Sequence, residues 1–76
     1  MEQRGHWWNG RWGRAGRRDV YLRTSGGRWQ VEQRAGGGDG VSQVYDLSNE
    51  AEADELVAQL LASGDDWREL SVRPAP

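Results

Sequence analysis

The residues best suited to chemistry in this 76-residue chain are arginines and tryptophans concentrated near its start. All ten basic residues are Arg, and five Trp are present. A guanidinium neutralises a phosphate, whereas an indole stacks on a nucleobase or anchors a protein interface. The composition therefore predicts binding to nucleic acid or to another protein. The side chains that we expect to bind are Arg4, Trp7, Trp8, Arg11, Trp12, Arg14, Arg17, Arg18, Tyr21, Arg23, Arg28 and Arg34.

The same inventory argues against catalysis. Cys is absent, His6 is the only histidine, and no base lies near the serines in sequence. The glycine-rich stretch 35–40 lacks the Lys and the Ser or Thr of a phosphate-binding loop. The acidic run from Glu50 to Glu55 is explained by a solvated helix start. We therefore predict no enzyme activity, no catalytic residue, no metal and no cofactor.

Charge divides the chain into two halves. Residues 1–34 contain eight Arg and three acidic residues, a net charge of +5. Residues 35–76 contain two Arg and nine acidic residues, a net charge of −7. This asymmetry predicts two electrostatically distinct faces. No apolar run is long enough to span a membrane and none resembles a signal peptide, so we expect a cytoplasmic protein without a membrane partner.

Residues 1–18 are expected to form an N-terminal arm outside the folded domain. Four glycines interrupt this segment, and neither a strand nor a helix periodicity survives. Its three tryptophans would either dock on the domain or contact a partner.

Residues 19–72 are expected to form the domain, with a frayed tail at 73–76. Polar and apolar residues alternate in Asp19–Thr24 and Arg28–Arg34, which flank a Ser-Gly-Gly turn and predict a β-hairpin. Val41–Leu47 predicts a third strand, in which either Val44 or Tyr45 faces the interior. Residues 65–72 offer an optional short fourth strand.

A helix is the clearest predicted element. Ser48 or Asn49 is suited to cap its start, an apolar stripe follows, and Gly64 is suited to end it. The stripe contains Ala53, Leu56, Val57, Leu60 and Leu61. The predicted fold class is α+β, with a three-stranded antiparallel meander packed on one C-terminal amphipathic helix.

Four segments form a recognisable pattern: Gly27–Arg34, Val44–Ser48, the helix entry Glu50–Ala53 and the tail Trp67–Leu70. This pattern resembles a recurrent βββα module of small actinobacterial proteins of unknown function, and the resemblance covers about residues 19–70. The layout is also similar to integrase-type and ethylene-response-factor-type DNA-binding domains, which contact the major groove through an exposed sheet face. This resemblance implies a corresponding face presenting Tyr21, Arg23, Arg28, Gln30, Glu32 and Arg34.

Two functional hypotheses follow. The first is a small non-catalytic module that binds nucleic acid through the arm and the exposed sheet face. The second is a protein-interaction module, either a homodimer or an accessory subunit, that uses the Trp cluster, the acidic helix face or an exposed sheet edge.

Overall fold

A computed structural model describes residues 2–11, 16–36, 40–62 and 67–70 of the chain. These residues form an antiparallel sheet in the order β4-β3-β2-β1-β5, with one helix packed against it. The α+β class predicted from the sequence is confirmed. The elements are β1 (Glu2–Trp8), β2 (Arg18–Ser25), β3 (Arg28–Ala35), β4 (Val41–Leu47), α1 (Glu50–Leu61) and β5 (Arg68–Glu69).

The β2–β3 hairpin has the register that the alternation predicts. Leu22 lies opposite Val31, and Thr24 lies opposite Trp29. The connecting glycines, Gly26 and Gly27, have φ of 58° and 83°. Positive φ at both turn positions matches the right-handed twist of the strands, which is why glycine is favoured there.

The N-terminal segment contains a strand that the sequence did not predict. Residues 1–18 were expected to form an arm, but Glu2–Trp8 is a strand that pairs with β2 on one side and β5 on the other. A register shift between Gln3 and Gly5 interrupts the alternation, which is why no period of two is visible in the sequence. The sheet consequently has five strands rather than three, and the optional short strand near the C-terminus is present as β5.

In the third predicted strand, β4, it is Tyr45 and not Val44 that faces the interior. Tyr45 lies opposite Val31 and therefore shares the face that packs on the helix. Leu47 packs against the core from the same face. Val44 lies on the other face and is 51% exposed.

Helix α1 begins where the capping residues predict. The Asn49 side chain accepts a hydrogen bond from the Glu52 backbone N–H at 2.9 Å, and Glu52 Oε1 accepts from the Ser48 N–H at 3.1 Å. Such bonds satisfy amide groups that the first helical turn leaves unpaired. Gly64, the predicted helix stop, and the predicted tail 73–76 lie outside the described residues.

The core lies between α1 and the centre of the sheet. Its buried members are Val20, Leu22, Val31, Ala53 and Val57, and the partly buried indoles that border it are Trp7, Trp29 and Trp67. The predicted positions at Leu56, Leu60 and Leu61 also pack against it. Within the described ranges, no helix has the length and apolar character needed to cross a membrane.

Candidate functional site

The face of the sheet that points away from α1 carries most of the polar chemistry of the described residues. We call it the open face. Since side chains alternate along a strand, the packing of Val20, Leu22 and Val31 under the helix directs their neighbours to the open face. Those neighbours are His6 and Trp8 from β1, Asp19, Tyr21 and Arg23 from β2, Gln30, Glu32 and Arg34 from β3, and Ser42, Val44 and Asp46 from β4.

Glu32 is the centre of one polar cluster on the open face. Its Oε1 accepts from Arg23 Nη1 at 2.6 Å, and its Oε2 accepts from Arg34 Nη2 at 2.8 Å and Ser42 Oγ at 2.9 Å. Glu32 is only 7% exposed, and this burial raises the pKa of its carboxyl group. The hydrogen bonds from Arg23, Ser42 and Arg34 outweigh burial and lower the pKa to about 2. Glu32 is therefore a permanent anion at neutral pH.

Asp19 is the centre of a second cluster. Its Oδ1 accepts from Arg17 Nε at 2.9 Å, while its Oδ2 lies 2.7 Å from His6 Nε2 and accepts from Arg17 Nη2 at 3.2 Å. Asp19 is 1% exposed. Burial raises the pKa of Asp19, but the bonds to Arg17 and His6 have the larger combined effect, so the pKa is lowered.

Tyr21 connects the two clusters. Its ring stacks on His6 with a centroid separation of 4.2 Å. The guanidinium carbons of Arg23 and Arg34 lie 4.7 Å and 5.3 Å from the centre of the same ring. Burial, followed by the negative charge of Asp19, raises the pKa of Tyr21, so its hydroxyl stays protonated at neutral pH.

Through these contacts, the charged groups of the open face are paired mainly with one another. Three guanidiniums, those of Arg17, Arg23 and Arg34, bind two carboxylates, those of Asp19 and Glu32. Among the described side chains, every buried nitrogen and oxygen atom has a hydrogen-bond partner. The clusters thus cover the second side of a single-layer sheet. With the Asp46 carboxylate on the same face, the three guanidiniums leave no excess positive charge for an anionic partner.

Two buried side chains at the end of β1 bond to described residues of the segment that follows. Trp8 is buried, its indole Nε1 donates to the Arg11 carbonyl at 3.0 Å, and the guanidinium carbon of Arg17 lies 5.5 Å from its ring centre.

Asn9 is also buried. Its amide donates to the Gly16 carbonyl at 2.7 Å and its Oδ1 accepts from the Arg18 N–H at 3.0 Å. Asn9 is not among the predicted site residues, although the Asn9–Gly10 dipeptide is a turn signal that points to it.

The other predicted binding residues do not converge on one surface. Trp7 packs against the core, and Arg4 pairs with Glu2 at 3.1 Å on an exposed part of β1. Arg18 and Arg28 are exposed at opposite ends of the β2–β3 hairpin. Arg11 is exposed and engaged in an interaction, and Trp12 and Arg14 lie outside the described residues.

The outer edge of β4 is the second candidate surface. Its seven residues pair with β3 on one side, and no described strand pairs with the other side. Val41 is 76% exposed and Val44 is 51% exposed. Next to this edge, Arg28, Trp29, Asp46 and Leu47 line a shallow cleft of about 350 Å³. The sequence predicts an exposed sheet edge, but it does not indicate which strand provides the edge or that Val41 and Val44 are exposed there.

Among the described residues, no group of three or more His, Asp or Glu side chains is arranged to hold a metal ion. Comparison of the chain with protein-family models, with curated proteins and with solved structures finds no match. The resemblance to βββα proteins and to sheet-type DNA-binding domains therefore stays a prediction.

Proposed function

We propose that this protein is a non-catalytic protein-interaction module that binds its partner by strand addition at the outer edge of β4. In strand addition, an extended segment of the partner pairs with a sheet edge through main-chain hydrogen bonds. The observation that supports this proposal is the seven-residue edge of β4, whose outer side no described strand covers.

The composition of β4 supports the same function. Protein sheets usually protect an edge with Pro, Lys, a bulge or a very short strand. The Val41–Leu47 sequence contains neither Pro nor Lys, its pairing with β3 runs without a register shift, and Asp46 is its only charged residue. An edge with exposed valines and little charge is suited to pairing with another strand.

Nucleic-acid binding is the second candidate. The supporting observation is the position of Tyr21, stacked on His6 and flanked by Arg23 and Arg34, which resembles the aromatic and cationic pairing that binds single-stranded nucleic acid. Against it stands the charge balance, because Glu32 occupies both guanidiniums. Modest, strongly salt-dependent affinity is the expectation for this candidate.

One experiment separates the two candidates. The immobilised chain is used to capture proteins from a nuclease-treated bacterial lysate, alongside the Val44→Lys variant and a matched control, Leu70→Lys. Leu70 is exposed and its N–H bonds to His6 of β1, on the side of the sheet away from β4. Strand addition predicts capture that survives nuclease, is lost in V44K and persists in L70K. Equal capture by V44K and by a parent chain that is monomeric refutes it.

Nucleic-acid binding is tested in the same samples by gel shift. Single-stranded and duplex 20-nucleotide DNA and RNA are the probes, at low and at physiological salt. The second candidate predicts a shift that is weakened by changing Arg14, Arg17 and Arg18 together to Ala, about equally for all sequences. An unchanged shift in that triple variant, or no shift with the parent chain at low salt, counts against it.

A further inference from the structure

We infer that the partner at the β4 edge is a second copy of this chain, paired antiparallel about a two-fold axis through Val44. This inference rests on the proposed function, because it uses the same edge. It adds the identity of the partner, the register and the residue on the axis.

The side-chain pattern of β4 matches itself in one register. With Val44 opposite Val44 of the second copy, Val41 lies opposite Leu47, Ser42 opposite Asp46, and Gln43 opposite Tyr45. Residues directly opposite each other in an antiparallel pair lie on the same face and contact each other. In this register, every apolar residue meets an apolar residue and every polar residue meets a hydrogen-bonding partner.

Neighbouring registers lose this match. A shift in one direction brings Val44 opposite Asp46, and the equivalent shift in the other direction brings Val44 opposite Ser42. Each of these two registers places the half-exposed Val44 against a polar side chain, and the two-fold symmetry repeats this mismatch in the second copy. A one-residue shift does not arise, because antiparallel pairing of two copies at the same edge keeps both helices on one side of the joined sheet, and directly opposite residues must then share a face. The match centred on Val44 therefore selects the register, as burial of one face usually does.

Charge complementarity favours the same arrangement. Arg34 Nε lies 3.3 Å from Ser42 Oγ, so the guanidinium reaches the outermost strand of the open face. In the Val44-centred register, Ser42 faces Asp46 of the second copy, which brings that carboxylate close to Arg34. The contact occurs twice. Asp46, the single charge on β4, thus gains an opposite charge instead of meeting its own copy.

The dimer would also cover the exposed apolar groups of the edge. Val41 and Val44 are the two most exposed large hydrophobic residues among those described. In the proposed register, Val44 is covered by its counterpart and Val41 by Leu47 of the second copy. The two five-stranded sheets become one continuous sheet, with both helices on one side and both open faces on the other.

A charge-complementation experiment tests this register. The parent chain and the Val44→Glu, Val44→Lys and Leu70→Lys variants are studied by sedimentation velocity over a range of concentrations. We expect the parent chain and L70K to dimerise. V44E and V44K should each dimerise about tenfold or more weakly, because two valines are replaced by like charges across the strand pair. An equimolar mixture of V44E and V44K should form a heterodimer at concentrations where neither dimerises alone.

The complementation is specific to a residue that faces itself. A substitution that merely weakened folding would not be rescued by mixing, and thermal unfolding at low concentration serves as the folding control. A parent chain that is monomeric at all concentrations overturns the inference. So does unchanged dimerisation of V44E and V44K, or a mixture that associates no better than its components.

The outcomes also distinguish this inference from the proposed function. A monomeric parent chain whose lysate capture still depends on Val44 overturns the second copy as partner but leaves strand addition intact. A monomeric parent chain whose capture does not depend on Val44 overturns both.

Discussion

Replacing Glu32 with Gln is expected to lower the free energy of unfolding by about 3 kcal/mol at pH 7. The substitution keeps the shape of the side chain and removes its charge. Arg23 and Arg34 would then lie near each other over Tyr21 without the carboxylate that both now bind. The amide end of Gln would also direct donors toward guanidinium donors.

The magnitude follows from proton linkage. The pKa of Glu32 falls from an ordinary value of 4.5 to about 2 in the folded chain. Each pKa unit corresponds to about 1.4 kcal/mol of preference for the charged form, so the shift amounts to roughly 3 kcal/mol. Because Glu32 is 7% exposed, solvent screens its partners only weakly. A domain of this size is stable by roughly 4 to 11 kcal/mol in total, so the loss would be easy to measure.

The direction of the pH dependence is equally specific. The folded-state pKa of Glu32 lies below the unfolded value, so the unfolded chain takes up the proton first as the pH falls. The stabilisation by Glu32 is therefore complete above about pH 4.5 and is lost progressively toward pH 2. E32Q lacks this contribution, and the difference between parent and variant should shrink over that interval.

The assay is urea-induced unfolding followed by tryptophan fluorescence between pH 2 and 7. Glu55→Gln, an exposed carboxylate on α1, is the matched control and should stay within about 0.5 kcal/mol of the parent chain. A loss of less than about 1 kcal/mol in E32Q at pH 7, or the same acid dependence in E32Q and the parent chain, would refute this role of Glu32.

Two further substitutions probe features that the sequence did not indicate. Gly5→Ala would place a Cβ 2.5 Å from Trp7 Cη2, so the indole must leave its position against the core, and unfolding should become easier by about 1 to 3 kcal/mol. A G5A variant with parental stability in urea would contradict that packing. Asn9→Ala removes the buried amide that bonds to Gly16 and Arg18, at a cost of about 2 to 3 kcal/mol, against about 1 kcal/mol for the exposed helix cap in Asn49→Ala. Equal losses in the two Asn variants, measured by thermal unfolding, would contradict the larger contribution of the buried Asn9 hydrogen bonds.

Local patterns in the sequence were sufficient for the elements whose neighbours are close in the chain. The β2–β3 hairpin follows from alternation on either side of a Gly-Gly turn. Helix α1 follows from Asn49 and the apolar spacing of Ala53 and Val57. In each case the signal lies within a few residues, because hairpin turns and helix caps are short-range interactions.

Non-local pairing decided what local patterns could not. β1 contains Gly5 and a register shift, and its strand conformation depends on hydrogen bonds to β2 and β5. The facing of β4 depends on which of its residues lies opposite Val31.

The candidate site shows the same division. The sequence alone established an arginine-rich front half, an amphipathic helix and two alternating strands, since composition and period need no partner to be recognised. The tertiary structure decided that Arg23 and Arg34 meet Glu32, and that His6 and Arg17 meet Asp19. A charge is neutralised by whatever lies a few ångströms away in space, and sheet pairing sets those distances between residues that are far apart in the chain.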